Sequence, residues 1–304
     1  MIVLENINKS FQQVKRIDSL SFHISKGEVV GYIGANGAGK TTSFRILTGT
    51  LLPDSGFLRV CGIDPYKNKM ENLKNIAVVD GIRSQLWKEM KLEYSFLLAK
   101  KMYGISNNDY NANMNYLCEK LDLEEILNCQ VNKLSLGERM KAEIAYSLLH
   151  NPKVLYLDEA TIGLDLINKE KIINVINEIN RDKETTILFS SNNLGDIEKT
   201  CKRIIVIDKG KKIYEGDISR LKRKYASNYL VKIKIEKGKI PDLQDLPIKK
   251  YKLQEDNLFC YYENNIINAS DILNQVIKQC FIKDVKIIEP KLEDVIRNIY
   301  LNKG

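Results

Sequence analysis

The sequence predicts an α/β fold with a parallel sheet at its core and a small α+β domain at the C-terminal end. Three observations predict it. Short apolar runs such as "KVLYLDE" and "TTILFSS" alternate with amphipathic segments such as "NKEKIINVINEINRD", which is typical of strands covered by helices on both faces. A glycine-rich loop joins the apolar run "EVVGYI" to a helical segment. Finally, the alternation of apolar strands and amphipathic helices ends near residue 220, and a mixture of strand-like and helix-like runs follows.

The first 220 residues contain four kinds of segment in order. The β-rich runs "MIVLENINKSF", "IDSLSFHI" and "GEVVGYIG" come first, and "PDSGFLRVCGIDP" adds a strand between breakers. From about residue 86 to 150, apolar residues recur three and four apart, which predicts a helical subdomain. Strands and helices then alternate, and "RIIVIDKGKKIYEG" predicts a hairpin through Lys209 and Gly210. We therefore expect one domain over residues 1–220.

Residues 221–304 form a second expected domain. Strand-like runs ("NYLVKIKIE", "NLFCYYE", "DVKIIE") mix here with helix-like runs ("ASDILNQVIKQC", "LEDVIRNIY"), so a small α+β accessory domain is predicted. This stretch holds 16 basic and 11 acidic side chains. A chain of 304 residues, 44% of them hydrophobic, is long enough for one large core and a second small one.

Charge and cysteine usage narrow the functional class. The 47 basic and 39 acidic side chains are interspersed, and the formal charge of +8 suits a polyanionic ligand or an anionic membrane surface more than nucleic acid. Six cysteines without a C-x-x-C pair indicate neither a zinc cluster nor a disulfide framework, and they favour a reducing cytoplasm. No apolar run reaches the roughly 18 residues of a spanning helix. We expect a soluble protein whose membrane role comes through a partner.

The segment "GYIGANGAGKTTSFRIL" predicts a phosphate-binding loop. It fits G-x-x-x-x-G-K-[ST] between an apolar strand and a helical segment, the context that this motif requires. Backbone N–H groups of such a loop surround the β-phosphate, Lys40 reaches β- and γ-oxygens, and Thr41 supplies a ligand for Mg²⁺. The alternative is a glycine-rich turn without a ligand. The predicted nucleotide-binding residues of the loop are Gly34, Asn36, Gly37, Ala38, Gly39, Lys40, Thr41 and Thr42.

Two adjacent acids follow the buried strand of "KVLYLDEATIGLD". The strand brings Asp158 and Glu159 to its C-terminal end, where open α/β sheets bind ligands. Asp158 is expected to hold Mg²⁺ through water, and Glu159 is expected to polarise the attacking water. Two such acids also occur as a helix cap or a solvated turn. The preceding phosphate loop, which requires an acidic partner, favours the catalytic interpretation.

A third motif, "LSLGERMKAEIAYSLLHNP", lies between the other two. Ser135 and Glu138 form a capping box that opens an amphipathic helix, and alone the segment indicates only a capped helix. With the phosphate loop before it and the strand-Asp-Glu segment after it, it resembles the signature motif of ATP-binding-cassette (ABC) ATPases. The resemblance covers most of residues 1–220 and is strongest to the nucleotide-binding subunits of bacterial ABC-2-type exporters.

This resemblance implies a fold and an assembly. The fold is a P-loop NTPase of ABC type, with a parallel-sheet core, an antiparallel β subdomain and a helical subdomain. ATP and Mg²⁺ are the implied ligands, and a second ATP-binding subunit, identical or different, completes a head-to-tail dimer. An integral membrane permease of ABC-2 type is the other implied partner, and no nucleic acid is expected. The implied location is cytoplasmic and peripheral on the inner face of the cell membrane.

The resemblance also assigns roles to residues away from the phosphate loop. Ser135 and Gly137 would contact the γ-phosphate bound to the other subunit. Phe11 stands where an aromatic residue stacks on adenine, and Asp165 ends the D-loop. Asn192, in "FSSNNLGDIE", occupies the position of the switch histidine.

The chain departs from the family pattern at four positions. Asn192 replaces the switch histidine, and its amide is shorter and cannot become cationic. Ile82 replaces the glutamine expected to sense Mg²⁺, while Gln85 comes three residues late. Ala160 replaces a proline and Glu138 a glutamine. These changes motivate the alternative of a slowly hydrolysing or regulatory subunit, although Asn192 also suits a plain turn. A non-transport ABC ATPase is a further alternative, prompted only by the basic charge.

Overall fold

The computed structural model describes residues 1–225, 229–236, 241–264 and 266–301. The chain divides into two compact units, Met1–Glu215 and Gly216–Gly304. The boundary predicted at residue 220 lies close to this division. Among the described residues, no helix combines the length and the apolar content needed to span a membrane.

The first unit contains two sheets and a group of helices, and its last strand runs past Glu215 to Asp217. Its strands are β1 (Ile2–Phe11), β2 (Val14–Ile24), β3 (Val29–Gly34), β4 (Ser55–Val60), β5 (Ile76–Asp80), β6 (Val154–Asp158), β7 (Thr186–Ser190), β8 (Arg203–Asp208) and β9 (Lys211–Asp217). Its helices are α1 (Lys40–Leu47), α2 (Lys69–Asn75), α3 (Leu92–Tyr103), α4 (Asn107–Leu121), α5 (Leu136–Leu148), α6 (Leu166–Lys183) and α7 (Leu194–Thr200). Short 3-10 helices lie at Glu124–Ile126 and Val131–Lys133.

A six-stranded sheet with the order β5-β6-β7-β3-β8-β9 forms the core of this unit. The strands from β5 to β8 pair in parallel. Apart from residues at the strand ends, every residue of β3, β6, β7 and β8 is buried, as the continuous apolar runs predict for strands covered on both faces. The predicted parallel sheet is therefore confirmed, and its strands bring their C-terminal ends to one edge.

An antiparallel sheet with the order β2-β1-β4 packs against the parallel sheet through aromatic side chains. Phe22, Tyr32, Phe44 and Tyr156 form a chain of ring contacts with centroids 5.8 to 5.9 Å apart. Burial raises the pKa of Tyr32, whose hydroxyl is 2.8 Å from Ser43 Oγ. These contacts fix α1 directly behind the loop that follows β3.

The segment predicted to be helical contains α3, α4 and α5. The capping box at the start of α5 is present: Glu138 N–H donates to Ser135 Oγ (3.3 Å) and Ser135 N–H donates to Glu138 Oε2 (2.8 Å). The hydrogen bonds from Ser135 lower the pKa of Glu138. The sequence predicts an amphipathic helix here, but every residue from Met140 to Leu148 is buried, so this part of α5 is enclosed on all sides by the protein.

The second unit is built on a four-stranded antiparallel sheet. Its strands are β10 (Tyr229–Ile235), β11 (Lys250–Gln254), β12 (Asn257–Tyr262) and β13 (Ile282–Ile288), and its helices are α8 (Ile218–Tyr225), α9 (Ala269–Ile277) and α10 (Leu292–Leu301). The strand order is β11-β12-β10-β13. Alternate residues of β10 and β12 are buried, so one face of the sheet belongs to the core and the other is open.

Candidate functional site

The loop between β3 and α1 has the shape that its glycines predict. Gly39 adopts φ 110°, a conformation that L side chains rarely occupy, and a Cβ there would lie 2.9 Å from Arg16 O. Lys40 is 8% exposed and its Nζ donates to Gly34 O at 2.6 Å. The ammonium group is therefore held across the mouth of the loop, beside the first turn of α1.

Backbone hydrogen bonds tie this loop to the turn between β8 and β9. Gly210 N–H donates to Ala38 O at 2.9 Å, and Asp18 N–H donates to Gly210 O at 3.0 Å. The turn is the hairpin predicted at Lys209 and Gly210, with φ values of 46° and 78°. The phosphate loop is thus attached to both sheets.

A cavity of about 230 Å³ lies over the loop. Its lining combines backbone N–H groups, hydroxyls, an ammonium and a guanidinium with one carboxylate, and this donor set suits a phosphate chain. The lining residues are Arg16, Ala35, Asn36, Gly37, Gly39, Lys40, Thr41, Thr42 and Glu159. The structure therefore brings Glu159, which directly follows β6, to the phosphate loop.

Asp158 ends β6 next to the equivalent end of β5. It pairs in register with Asp80, and Ser190 Oγ donates to Asp158 Oδ1 at 2.6 Å. Burial raises the pKa of Asp158, and the nearby charges of Asp80 and Glu159 add to this effect. A bound cation would relieve this concentration of negative charge, so the pair of strand ends suits an Mg²⁺ site with oxygen ligands.

The backbone around Glu159 is tightly constrained. Glu159 has φ 55° and its N–H donates to Ser190 O at 3.0 Å. Gly81 N–H donates to Asp158 O at 2.9 Å, and a Cβ on Gly81 would lie only 2.1 Å from Glu159 O. The ends of β5, β6 and β7 are therefore joined at the position of the predicted catalytic acid.

We expect Gly81→Ala to impair turnover while leaving nucleotide binding largely intact. The added methyl group must displace the backbone at Glu159, and a misplacement of about 1 Å can cost roughly a hundredfold in rate. Gly104→Asn, at the end of α3, is the control, since a Cβ there meets no atom within 4 Å and asparagine tolerates the left-handed φ of 64°. Steady-state ATP hydrolysis and ATP affinity of both variants check this. Equal turnover in the two variants would contradict it.

Ile82 and Gln85, in the loop after β5, have different surroundings. Ile82 is 75% exposed and lines a cavity of about 840 Å³ together with Thr41, Asp158 and Glu159. Gln85 Nε2 instead donates to Val78 O and, at 3.3 Å, to Ser147 Oγ. Gln85 is therefore held against α5 and is not among the residues that line this cavity.

Asn192 is exposed in the turn between β7 and α7. It comes two residues after Ser190, which contacts Asp158. Its neighbours hold the turn: Asn193 Oδ1 accepts the N–H of Gly195 at 3.0 Å, and Ser191 Oγ accepts the N–H of Asn193 at 3.1 Å. The turn predicted from the sequence is present, and it carries Asn192 at the edge of the sheet where Asp158 lies.

Four other predicted residues lie elsewhere in the chain. Ser135 is exposed at the start of α5, and Asp165 caps α6 by accepting the N–H of Asn168 at 2.9 Å, which lowers its pKa. A Cβ on Gly137 would lie 2.5 Å from Asn168 Nδ2, so α5 and α6 begin side by side. Phe11 is exposed at the end of β1. In the described part of the chain, none of the four lines the 230 Å³ cavity.

Sequence reasoning missed several residues that shape this site. Asp80, Gly81 and Ser190 were not predicted, although each stands at or directly after the end of an apolar strand-forming run. Arg16 was also missed, because nothing in its local sequence indicates that β2 approaches the phosphate loop.

Comparison with known proteins gives the family. A family model described as ABC transporter matches residues 17–162. The ABC transporter ATP-binding protein NatA of Bacillus subtilis is 32% identical over 245 residues, which cover 78% of this chain and 99% of NatA. The bacitracin transport ATP-binding protein BcrA of Bacillus licheniformis is 30% identical over 298 residues, covering 97% of this chain and 95% of BcrA.

A solved structure supports the fold. The dimeric structure of the ATP-binding cassette MJ0796 bound to ADP and Pi superposes with a TM-score of 0.63 at 22% identity, covering 71% of this chain and 98% of that one. The identity to NatA over nearly its whole length, together with the phosphate loop and the acids that meet it, places this chain in the ABC transporter family, as an ATP-binding subunit with an ABC ATPase fold.

Proposed function

We propose that this chain is the Mg-ATP-dependent ATPase of an exporter, peripheral on the cytoplasmic face of the membrane and paired with an ABC-2-type permease. The observation that carries the proposal is the convergence of Lys40, Thr41 and Glu159 on one cavity. The name of BcrA, a bacitracin transport protein that matches nearly the whole chain, supports a transport role, and the motif resemblance supports export. The boundary between an ATPase domain and an accessory domain near residue 220 is part of the proposal.

The phosphate loop would bind the β- and γ-phosphates. The backbone N–H groups from Asn36 to Thr42 and the start of α1 offer partial positive charge, and Lys40 adds a full one. Gly34 O already orients the Lys40 ammonium, so little rearrangement is needed. Gly34 and Ala38 act through the shape of the loop.

Residues around the loop fit a magnesium ion. Thr41 and Asp158 would hold it, because a hydroxyl and a carboxylate beside the phosphates are the oxygen ligands that Mg²⁺ prefers. When bound, Mg²⁺ neutralises charge that develops on the phosphate oxygens. Ser190 and Asp80 would position Asp158 by the hydrogen bond and the strand pairing already described.

Glu159 would orient the attacking water and accept its proton. Its carboxylate belongs to the cavity lining, and its backbone is fixed by Ser190 and Gly81. Asn192 would donate one amide hydrogen bond toward the same region. An amide cannot supply the positive charge of an imidazolium.

A head-to-tail dimer would complete the site. Ser135, Gly137, Asp165 and Phe11 do not line the cavity of their own chain, and the first three lie together where α5 and α6 begin. In a dimer, Ser135 and Gly137 would contact the ATP bound to the second subunit, which is the role of the signature motif. Phe11 would stack on adenine. The MJ0796 cassette, whose fold this chain shares, is a dimer, which supports the pairing of two ATP-binding subunits.

Two measurements test the proposed function: ATP hydrolysis by the purified chain, and identification of the membrane proteins that co-purify with it. We expect Mg²⁺-dependent ATP hydrolysis and co-purification of a membrane permease from native membranes. Absence of any ATP affinity would overturn the proposal. A chain that binds ATP but hydrolyses it far more slowly than about 1 per second would favour the second candidate, a regulatory or slowly hydrolysing subunit.

That second candidate rests on Ile82 and Asn192, and reversion tests it. We expect Asn192→His combined with Ile82→Gln to raise turnover by at least about tenfold, since a charge-stabilising donor contributes roughly 10² to 10³. Both positions are exposed, so the variant should fold normally. Ile266→Gln, at an isoleucine that is 59% exposed in the second unit, is the control. Unchanged turnover in the double variant would show that another step limits the rate.

A further inference from the structure

The second unit presents five lysines on the open face of its sheet. Val231 and Ile233 of β10 are buried, so the alternating residues Lys232 and Lys234 point to the opposite side. The strand registers place Lys250 and Lys252 of β11 and Lys286 of β13 on that same side. We call these five residues, Lys232, Lys234, Lys250, Lys252 and Lys286, the lysine face.

The lysine face has little negative charge to balance it. Asp284, opposite Lys234, is the acid that the registers place on it, and its Oδ1 accepts the N–H of Val285 at 2.8 Å. In the described residues of this unit, Lys222 pairs with Glu289 and Lys249 with Glu263, and neither pair uses a lysine of the face. None of the five lysines of the face takes part in an ion pair there.

Two like charges even stand directly opposite each other on this face. Lys232 pairs with Lys286 across β10 and β13, in a row that continues through Phe259 to Lys252. Like charges in directly opposed positions destabilise a sheet. Three lysines in one cross-strand row therefore indicate that the face is arranged for an anionic partner and not for the stability of the unit.

Aromatic rings lie among these lysines. Phe259 and Tyr261 of β12 are half-buried on the open face. Lys232 and Lys252 place their Nζ atoms 5.5 and 5.7 Å from the Phe259 centroid, and Lys250 lies 4.8 Å from that of Tyr261. Leu230 and Ile288 continue the row of Tyr261 across the sheet. The face thus combines positive charge with apolar and aromatic surface.

We propose that the lysine face binds an anionic membrane surface. Anionic headgroups attract each nearby lysine without requiring a fixed partner geometry, and aromatic rings favour the membrane interface. Protein interfaces are depleted of lysine and enriched in arginine, yet the cations of this face are all lysines. Single-stranded nucleic acid requires rings open for stacking, whereas lysines lie over both rings here. This inference rests on, and deepens, the proposed peripheral location.

The experiment measures sedimentation of the full chain with vesicles. We expect binding to vesicles of phosphatidylglycerol and phosphatidylcholine, no binding to phosphatidylcholine alone, and loss of binding at high salt. Lys232→Gln with Lys286→Gln should weaken binding about thirtyfold. Lys250→Gln with Lys252→Gln, on the opposite edge strand, should do the same if the first pair disturbs folding.

The control changes the same net charge elsewhere in the unit. Lys278→Gln with Lys291→Gln alters two exposed lysines outside the sheet and should leave binding within about threefold of wild type. Equal losses in the control and the face variants would overturn the proposal, as would equal binding to neutral vesicles. Tighter binding of polyuridylate or polyglutamate through the same lysines would also overturn it. ATP hydrolysis, measured in parallel, reports separately on the proposed ATPase function.

Discussion

Lys40→Ala is expected to reduce ATP turnover by at least about 10² to 10³, and to weaken ATP binding as well. The ammonium group is the one full positive charge that the phosphate loop and α1 place in the cavity, and Gly34 O holds it in position. ATP affinity, followed by equilibrium dialysis, and steady-state hydrolysis measure the two effects.

Two controls accompany this substitution. Lys67→Ala removes an exposed lysine of the same unit and should leave both quantities unchanged. Because Lys40 is buried, the midpoint of thermal unfolding shows whether the loop itself has been lost. ATP affinity that survives in folded Lys40→Ala protein would refute the assignment of the phosphate loop.

Glu159→Gln is expected to lower turnover by about 10² to 10⁴ while ATP still binds. The amide has the size of the carboxylate but cannot accept a proton from water. Removal of one negative charge beside Asp158 should not weaken the affinity for an anionic nucleotide. Single-turnover hydrolysis and ATP affinity, measured side by side, separate the chemical step from binding.

The matched control for this variant is Glu71→Gln, at an exposed acid in the first turn of α2. It carries the same change of charge away from the cavity and should retain wild-type turnover. If Glu159→Gln hydrolysed ATP at the wild-type rate, Glu159 would not be the base. The proton of the attacking water would then pass to another acceptor, such as Asp80 or bulk water.

The local sequence was sufficient to predict those parts of the site that consist of a few adjacent residues. The phosphate loop needs glycines, Lys40 and Thr41 in one short segment, and the capping box of α5 needs only Ser135 and Glu138. The strand that brings Asp158 to the sheet edge is a continuous apolar run. Each of these features is encoded within about one turn or one strand, so its pattern is visible without tertiary information.

Other parts of the site depend on contacts between distant segments. β5, which carries Asp80, is a short apolar run that periodicity cannot distinguish from a buried helix. The close approach of Gly81 to Glu159 exists only because β5 and β6 are neighbours. Likewise, the contact of Gln85 with Ser147 is made across more than 60 residues. Such pairings are decided by packing, and one sequence does not reveal them.

The attachment of the phosphate loop to the β8–β9 turn has a thermodynamic consequence. Because Gly210 N–H bonds to Ala38 O and Asp18 N–H bonds to Gly210 O, hydrogen bonds within the protein hold the backbone of the loop without the help of a nucleotide. A ligand that enters a preorganised site loses less conformational entropy than one that must fold its own site. Calorimetry of ATP binding should therefore show little entropic penalty from the protein, and a weakened turn at Gly210 should make that penalty appear.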